Sequence, residues 1–390
     1  MSLPLAGIRV VEMSHMIMGP SCGLVLAQLG AEVIKVEPPG GDKTRSLGGM
    51  GTSFFPVFNR GKRSITLDLG TPAGRQAMDR LLATADVFVE NFRDDTVARV
   101  GLDAATVSRK FPGLIIAAHK GFLSGPYEHR PALDEVVQMM SGLAFMTGSR
   151  EKPLRVGSSM NDIMGGMFGA IGVLAALHER GKSGKGRQIR VGLFENCLFA
   201  VAQHMVQYEL TGVPSRPMPQ RIHAWPVYDI FDTKDGHRLF VGVVTGGHWE
   251  SFCREFGLEQ LLRDPRLQTT TARIEARSWT LPIIAERLRD RTMADLAATL
   301  DRLNIPFAPV NSPEELYADA HVLRPGGLVA SRNVDGKMFR TPALPLELDG
   351  GGLSPDIDVP ALGKDTSAVL AELGYSAEEI ASLTPPATAA

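Results

Sequence analysis

One aspartate stands where a helix is predicted to begin, a position that suits a reactive or ligand-binding carboxylate. Asn161-Asp162 comes directly before the apolar run 163–177, which predicts a buried helix. Backbone N–H groups and the helix dipole at that end stabilise an ionised carboxylate. Gly165 and Gly166 fall in the first turns, where each costs about 1 kcal/mol relative to alanine. The glycines indicate either close helix packing or a ligand that approaches Asp162, whereas the aspartate alone is also explained as a helix cap.

Cationic side chains gather near the predicted ends of several strands. Arg60-Gly61-Lys62-Arg63 comes directly before one strand, and Arg45, Arg99 and Lys120 fall near the ends of neighbouring units. Open α/β sheets bind ligands beyond the carboxyl ends of their strands, so cations there suit a polyphosphate. A solvated turn explains the same charges, and the residues by themselves leave both interpretations open.

Three other patterns carry less information. Gly19-Pro20-Ser21-Cys22-Gly23 matches the GxSxG motif of hydrolases, but that motif needs its serine directly after a strand. Residues 13–18 intervene here, so we interpret the match as chance. His15 and His119 lack a metal-like partner spacing, and we predict no metal site. Thr245-Gly246-Gly247-His248 follows a predicted strand and forms either a flexible loop over a pocket or a plain strand-to-helix turn.

The elements that position these residues alternate between strand and helix in the first half of the chain. Thr71-Pro72 opens one of the helices with an N-cap and a proline at the first helical position. The alternation is typical of right-handed βαβ units and predicts a doubly wound α/β domain with a parallel sheet. The predicted strands are 8–11, 32–36, 64–67, 87–89 and 114–117.

The middle of the chain changes character. Residues 162–180 and 193–210 predict helices that are apolar on most faces, so we expect them to be buried in the domain or between subunits. After a proline-rich stretch, the runs 227–231 and 238–241 predict a β-hairpin. Amphipathic helices follow the hairpin, and together they predict a second, smaller α+β domain.

Composition excludes several classes of function. The 390 residues are 44% hydrophobic, and 41 Lys+Arg balance 43 Asp+Glu, as in an ordinary globular protein. That balance argues against a nucleic-acid partner and against an anionic membrane surface. Three widely spaced cysteines predict a reducing compartment, which we take as the cytoplasm, and the N-terminus shows no export signal. The longest apolar run, 164–177, is too short to cross a bilayer.

The chain contains, in this order, the blocks LAGIRVV (5–11), GP (19–20), LGAEVIKVE (29–37), NRGKRS (59–64), VENF (89–92), QMMSG (138–142) and GKSGKGR (181–187). Together they resemble class III coenzyme A transferases, a family that includes formyl-CoA transferase, succinyl-CoA:dicarboxylate transferases and α-methylacyl-CoA racemase. The likeness runs from about Leu3 to Gly374. It implies an interlocked homodimer of ring-like subunits, in which 1–215 and 326–390 form a large CoA-binding domain and 216–325 form a small domain.

The resemblance also implies an active site. Asp162 matches the family's catalytic aspartate, whose carboxylate attacks a thioester to form an anhydride that CoA converts to an aspartyl-CoA thioester. Backbone amides near Gly165 are expected to hold developing oxyanions. His15 matches an active-site position, and Gly246 and Gly247 correspond to a glycine loop that shields the anhydride from water.

Coenzyme A, as acyl-CoA, is the substrate that the resemblance implies, together with a small carboxylic acid. Lys62 and Arg99 match family positions that contact CoA phosphates. Arg63 follows Lys62 directly, and Lys120 falls near the end of a neighbouring predicted strand. Both are expected to contribute to the same binding site.

One position separates the branches of this family. Leu133 stands where the racemases place the histidine that works opposite the aspartate, and leucine cannot take a proton. The resemblance therefore favours transfer of CoA from a short-chain acyl-CoA, such as succinyl-CoA, to a small mono- or dicarboxylic acid. Three alternatives stay open: an acyl-CoA racemase or isomerase of the same fold, a thioesterase that uses Ser21, and a CoA-binding protein without turnover.

Overall fold

The computed structural model describes residues 3–221, 223–353 and 357–384. The chain divides into two units, Met1–Pro219 with Leu323–Ala390 and Gln220–Val322. We call the first the sheet domain and the second the small domain. The sheet domain is built from segments before and after the small domain in the sequence, and the CoA-binding role expected of it stays a prediction.

A six-stranded parallel sheet forms the centre of the sheet domain, which confirms the predicted α/β class. The strand order is β3-β2-β1-β4-β5-β6, so the direction of winding reverses between β1 and β4. All five predicted strands are present, and β6 is an addition because its sequence, QIRVG, lacks a β-branched run. The strands are β1 Arg9–Met13, β2 Glu32–Glu37, β3 Arg63–Thr66, β4 Val87–Glu90, β5 Ile115–Lys120 and β6 Gln188–Gly192.

Helices connect and cover these strands. In the described part of the chain, the α-helices before the small domain are α1 Met18–Gln28, α2 Phe54–Asn59, α3 Pro72–Leu82, α4 Asp94–Arg99, α5 Ala104–Lys110, α6 Asp134–Met140, α7 Leu143–Thr147, α8 Met160–Ser183 and α9 Leu193–Thr211. Short 3-10 helices occur at Lys43–Ser46, Gly49–Ser53, Met218–Gln220, Pro265–Leu267 and Glu315–Ala318.

The small domain is an antiparallel sheet with helices, as the hairpin pattern predicts. Strands β7 Val227–Asp232, β8 Arg238–Val243 and β9 Phe307–Pro309 pair in that order. Its helices are α10 Gly246–Glu255, α11 Glu259–Arg263, α12 Thr270–Glu275, α13 Arg277–Arg289 and α14 Met293–Arg302.

The C-terminal segment completes the sheet domain. It contains two small hairpins, β10 Leu328–Arg332 with β11 Met338–Pro342 and β12 Glu347–Leu348 with β13 Gly351–Gly352, and then α15 Thr366–Glu372 and α16 Ala377–Leu383. Apolar residues alternate along the parallel strands, so each face of the sheet has its own core. The core beneath α1 and α8 contains Val10, Val33, Val87 and Ile115, and the core beneath α3 and α15 contains Val11, Ile34, Phe88 and Ile116.

Helix α8 packs so closely on its neighbours that it needs glycines. A Cβ atom on Gly165 would lie 2.5 Å from Met18 Cε, and one on Gly166 would lie 2.4 Å from Ser21 Cβ. Close helix packing therefore accounts for both glycines. By length and composition α8 is also apolar enough to cross a membrane, a test that the core helix of a folded domain passes as well.

Candidate active site

Asp162 lies in the first turn of α8 and lines a cavity of about 280 Å³. His15, Asn91 and Lys120 line the same cavity, and they follow or end strands β1, β4 and β5. The winding of the sheet reverses between β1 and β4, which is where doubly wound sheets bind their ligands. The fold thus brings the predicted carboxylate to the ligand-binding edge of the sheet.

Burial changes the acidity of Asp162. The pKa of its carboxyl is raised from the ordinary value of 3.8 to about 7, mainly because burial removes its water; the neighbouring charge of Asp134 contributes to the rise, and Arg155 opposes it. A carboxylate that has lost its water shell is a better nucleophile than one in bulk water. Titratable groups with pKa values shifted in this way cluster at functional sites.

Asp134, a residue that the sequence did not single out, holds the start of α8 in place. Its Oδ2 accepts a hydrogen bond of 3.2 Å from the Asp162 N–H, and its Oδ1 accepts one from Gln138 Nε2. Asp134 is the first residue of α6, and Gln138 lies one turn later, so both side chains lie on one face of the helix. That four-residue spacing is the local signal that could have identified the pair.

Activity should depend on pH through this carboxylate. The attacking form of Asp162 is ionised, so we expect kcat/KM to fall about tenfold per pH unit below a pKa of about 7. Asp134→Asn removes a like charge, which lowers the pKa of Asp162 and moves the acid limb to lower pH. Initial rates from pH 5 to 9 measure the shift, with exposed Glu151→Gln as the control. A limb that stays in place would show that Asp134 does not influence the charge of Asp162.

His15 is fixed at the reversal point of the sheet. Its N–H donates to Asn91 Oδ1 at 2.9 Å, and Asn91 Nδ2 donates back to the His15 carbonyl at 2.8 Å. The imidazole packs against Phe92 with the rings tilted by 43° and their centroids 4.9 Å apart, and burial lowers the pKa of the imidazole. His15 is therefore a neutral, well-positioned group in the Asp162 cavity at pH 7.

The structure moves the expected oxyanion donors from one helix to another. The Gly165 amide lies beyond the first turn of α8, where each N–H bonds to the carbonyl four residues before it, so the oxyanion role of the amides near Gly165 stays a prediction that this geometry does not favour. The start of α1 offers donors instead. Met18 lines the cavity as the first residue of α1, and the N–H groups of Met18 and Gly19 have no acceptor within the helix.

Lys62 does not face a ligand. Its ammonium is fully buried, lies 2.7 Å from Glu12 Oε2, and donates to the Pro20 carbonyl at 3.0 Å and to Asn59 Oδ1 at 3.1 Å. Burial lowers its pKa to about 8. An ammonium group has three donors, and all three are used inside the protein. The predicted phosphate contact of Lys62 conflicts with this geometry.

Two further predicted cations are also paired. Lys120 Nζ lies 2.7 Å from Glu90 Oε1 and 2.9 Å from Asp94 Oδ1, and it donates to the Phe92 carbonyl at 2.7 Å. The Arg63 guanidinium bridges Glu32 and Glu372 at the edge of the sheet. Both side chains hold the sheet domain together, although Lys120 also lines the cavity of Asp162.

Arg99 is the predicted cation that stays accessible. It ends α4, is exposed, and lines a cavity of about 500 Å³ with Arg75 and Lys110. Two cavities, of about 530 and 260 Å³, lie between this one and Asp162, and each adjoining pair shares wall residues. The 280 and 530 Å³ cavities share His15 and Lys120, and the 530 and 260 Å³ cavities share Phe92 and Thr96. The 260 and 500 Å³ cavities share Leu69 and Val100. A row of cavities therefore links Asp162 to Arg99 along the sheet edge.

Gly246 and Gly247 form the first turn of α10 in the small domain. The Thr245 hydroxyl caps this helix by accepting a hydrogen bond of 3.0 Å from the His248 N–H. The strand-to-helix turn is thus correct and the flexible loop is wrong. Both glycines are exposed, and their shielding role stays a prediction.

Ser21 lies inside α1 and is 4% exposed, packed against Gly166 of α8. It does not follow a strand directly, so the chance interpretation of the GxSxG match agrees with the structure. Residues 3–221, 223–353 and 357–384 contain no group of three or more His, Cys, Asp or Glu side chains that could hold a metal ion.

Comparison with known proteins gives the reaction class. A family profile described as CoA-transferase family III matches residues 5–366. The succinate–glutarate CoA-transferase of Agrobacterium fabrum is 33% identical over 95% of this chain and 96% of its own length. The succinyl-CoA–D-citramalate CoA-transferase of Chloroflexus aurantiacus is 32% identical over 97% of this chain and 96% of its own length.

The structures agree with the sequences. The crystal structure of a CAIB/BAIF family protein from Brucella suis superposes with a TM-score of 0.86 and 31% identity, over 96% of this chain and all of that one. Rv3272 from Mycobacterium tuberculosis superposes with a TM-score of 0.81 and 26% identity, over 94% of this chain. The chain therefore belongs to CoA-transferase family III and is a class III CoA-transferase.

Proposed function

We propose that this enzyme moves CoA from a short-chain acyl-CoA, with succinyl-CoA as the first candidate, to a small mono- or dicarboxylic acid. The observation that carries the proposal is the desolvated Asp162 carboxylate at one end of the row of cavities. Relatives that transfer CoA between succinate and glutarate, or from succinyl-CoA to D-citramalate, support these substrate classes.

Asp162 carries the acyl and CoA groups in turn. An Asp162 oxygen attacks the donor thioester carbon, the C–S bond breaks, and a mixed anhydride and CoA thiolate form. The thiolate attacks the Asp162 carbonyl carbon, which releases the donor acid and leaves an aspartyl-CoA thioester. The acceptor carboxylate then displaces the thiolate, and the thiolate attacks the acceptor carbonyl to give the new acyl-CoA and free Asp162. No water or proton is consumed overall.

The surroundings of Asp162 assist these steps. Each attack on a carbonyl places negative charge on its oxygen, and the Met18 and Gly19 N–H groups at the start of α1 can donate to it. His15, held neutral by burial, adds a polar group to the same wall. The burial of Asp162 limits the access of water, which is the nucleophile that would otherwise hydrolyse the anhydride.

The row of cavities supports a binding site for coenzyme A. We place its thioester at Asp162 and its phosphates near Arg99, where Arg75 adds positive charge and Lys110 is paired with Asp79 at 2.8 Å. The 260 Å³ cavity, next to that of Arg99, is lined by Pro38, Pro39 and other apolar residues, which suit the adenine ring. Lys62, Arg63 and Lys120 support this surface from inside rather than bind the phosphates.

We also propose that two copies interlock as a homodimer. Helices α8 and α9 expose large apolar side chains, which a folded chain covers with a partner. Phe199 is 70% exposed, and the others include Met167, Ile171, Leu174, Met205 and Leu210. Sedimentation velocity should give a dimer, and a monomer at micromolar concentration would contradict this assembly.

The three buried, unpaired cysteines fit the cytoplasm as the compartment of the enzyme.

A panel of acyl-CoA donors and carboxylic acid acceptors, followed by mass spectrometry, tests the reaction. We expect CoA to move to the acceptor without net hydrolysis. A 2-methylacyl-CoA epimer incubated in heavy water should keep its configuration, because Leu133 lines the cavity where a second base would be needed. Inversion with α-deuteration at the rate of transfer would assign a racemase, and binding without turnover would leave only a CoA-binding protein.

A further inference from the structure

Arg155 places a guanidinium in the wall of the 280 Å³ cavity. Its Nε donates to the Val156 carbonyl at 3.2 Å, and its Nη2 donates to the Ser158 carbonyl at 3.0 Å. The contacts with carboxylates are longer, 3.8 Å from Nη2 to Asp134 Oδ1 and 3.5 Å from Nη1 to Glu135 Oε1. A guanidinium has five N–H donors, so within the described chain Arg155 keeps donors for an anion.

The other basic side chains of this cavity have no such capacity. Lys120 uses its three donors on Glu90, Asp94 and a backbone carbonyl. Burial lowers the pKa of His15, and it lowers that of His119 to about 4, so both imidazoles are neutral at pH 7. Among the described lining residues, Arg155 is therefore the cation with free donors that can bind an anionic group of a ligand.

The segment that carries Arg155 is held in place from below. The Val156 N–H donates to Gln138 Oε1 at 3.0 Å, and Gln138 is fully buried on α6. The same amide donates through Nε2 to Asp134, the residue that contacts the Asp162 backbone. Arg155 and Asp162 are thus positioned by one network, which reduces the cost of ordering the guanidinium when a ligand binds.

The same cavity also has apolar residues in its wall. Leu133 is 65% exposed and lines the cavity with Met16, Ala132 and Phe54. A short hydrocarbon chain can pack there while its two ends meet polar groups. The cavity therefore offers a nucleophilic carboxylate, an apolar wall and a guanidinium.

Resting on the function proposed above, we propose that Arg155 selects dicarboxylic substrates by binding the distal carboxylate of the acyl group or the acceptor acid. The proximal carboxyl carbon then meets Asp162. The planar guanidinium fork matches a carboxylate with two parallel hydrogen bonds. Without Arg155, the distal carboxylate of the substrate would lie in a cavity already lined by the acidic residues Asp134, Glu135 and Asp162.

Competition between two acids of equal length tests this role. The enzyme receives one donor, glutaryl-CoA, with equal succinate and butyrate, and mass spectrometry gives the ratio of succinyl-CoA to butyryl-CoA formed. The ratio reports selectivity and is independent of how fast the donor reacts. We expect Arg155→Gln to lower the ratio by roughly 10- to 100-fold and Arg155→Lys to lower it less. Arg150→Gln, an exposed arginine of the same region, is the control and should keep the ratio.

A second measurement keeps the test independent of turnover. Calorimetry of succinate and butyrate binding to the full-length protein should show that Arg155→Gln weakens succinate much more than butyrate. If no acid receives CoA, the proposed function fails while calorimetry still decides the role of Arg155. Equal losses for both acids, in either assay, would overturn the proposal and make Arg155 a support for Asp134.

Discussion

Replacing Asp162 by alanine should lower CoA transfer by at least about 10⁴-fold, because the variant has no atom that can carry the acyl or CoA group. Native enzyme treated with hydroxylamine during turnover should accumulate a hydroxamate on Asp162. Mass spectrometry of the tryptic peptide 156–180 locates this product. Near-native turnover in the alanine variant would exclude the covalent mechanism.

The loss should not come from unfolding. The pKa of Asp162 is about 7 in the folded protein and 3.8 ordinarily, so the folded state holds the extra proton between these pH values. Stability contributed by this group therefore falls as pH rises through that window. At pH 8, Asp162→Ala should unfold at a temperature no lower than the native enzyme, as thermal scans can show. Ser21→Ala, a buried change on α1, serves as the control and should keep transfer.

Replacing Lys62 by methionine should destabilise the sheet domain by about 3–5 kcal/mol, because it leaves the buried Glu12 carboxylate without its nearest partner. Lys35, 3.5 Å from Glu12, remains as a weaker partner. Urea unfolding measures the free energy of unfolding. The exposed Lys364→Met is the matched control, and its effect should stay within about 0.5 kcal/mol.

A double variant identifies the cause of that loss. If the unpaired Glu12 charge is responsible, Glu12→Gln combined with Lys62→Met should recover part of the stability that Lys62→Met loses. Affinities for CoA and dephospho-CoA should then change by similar factors in Lys62→Met. Native stability together with a selective loss of CoA would restore Lys62 as a phosphate ligand.

Local sequence patterns predicted most of the strands of the sheet domain. β-branched runs located five of the six parallel strands, since strand periodicity depends on neighbours in sequence. The polar run of β6 gave no such signal. Asp162 was identifiable because a helix start and two glycines lie within five residues of each other, and the family blocks gave it a role.

The sequence by itself thus determined the α/β class and the family, and it singled out Asp162 as the predicted nucleophile. Only the tertiary structure decided which cations are free. Lys62 pairs with Glu12 across 50 residues and Arg63 with Glu372 across 309, so no local pattern contains these contacts. The same holds for Asp134 and Arg155, which reach Asp162 because separate segments converge on one cavity. Charge is a property of a residue, but its availability depends on partners that the order of the strands and helices brings together.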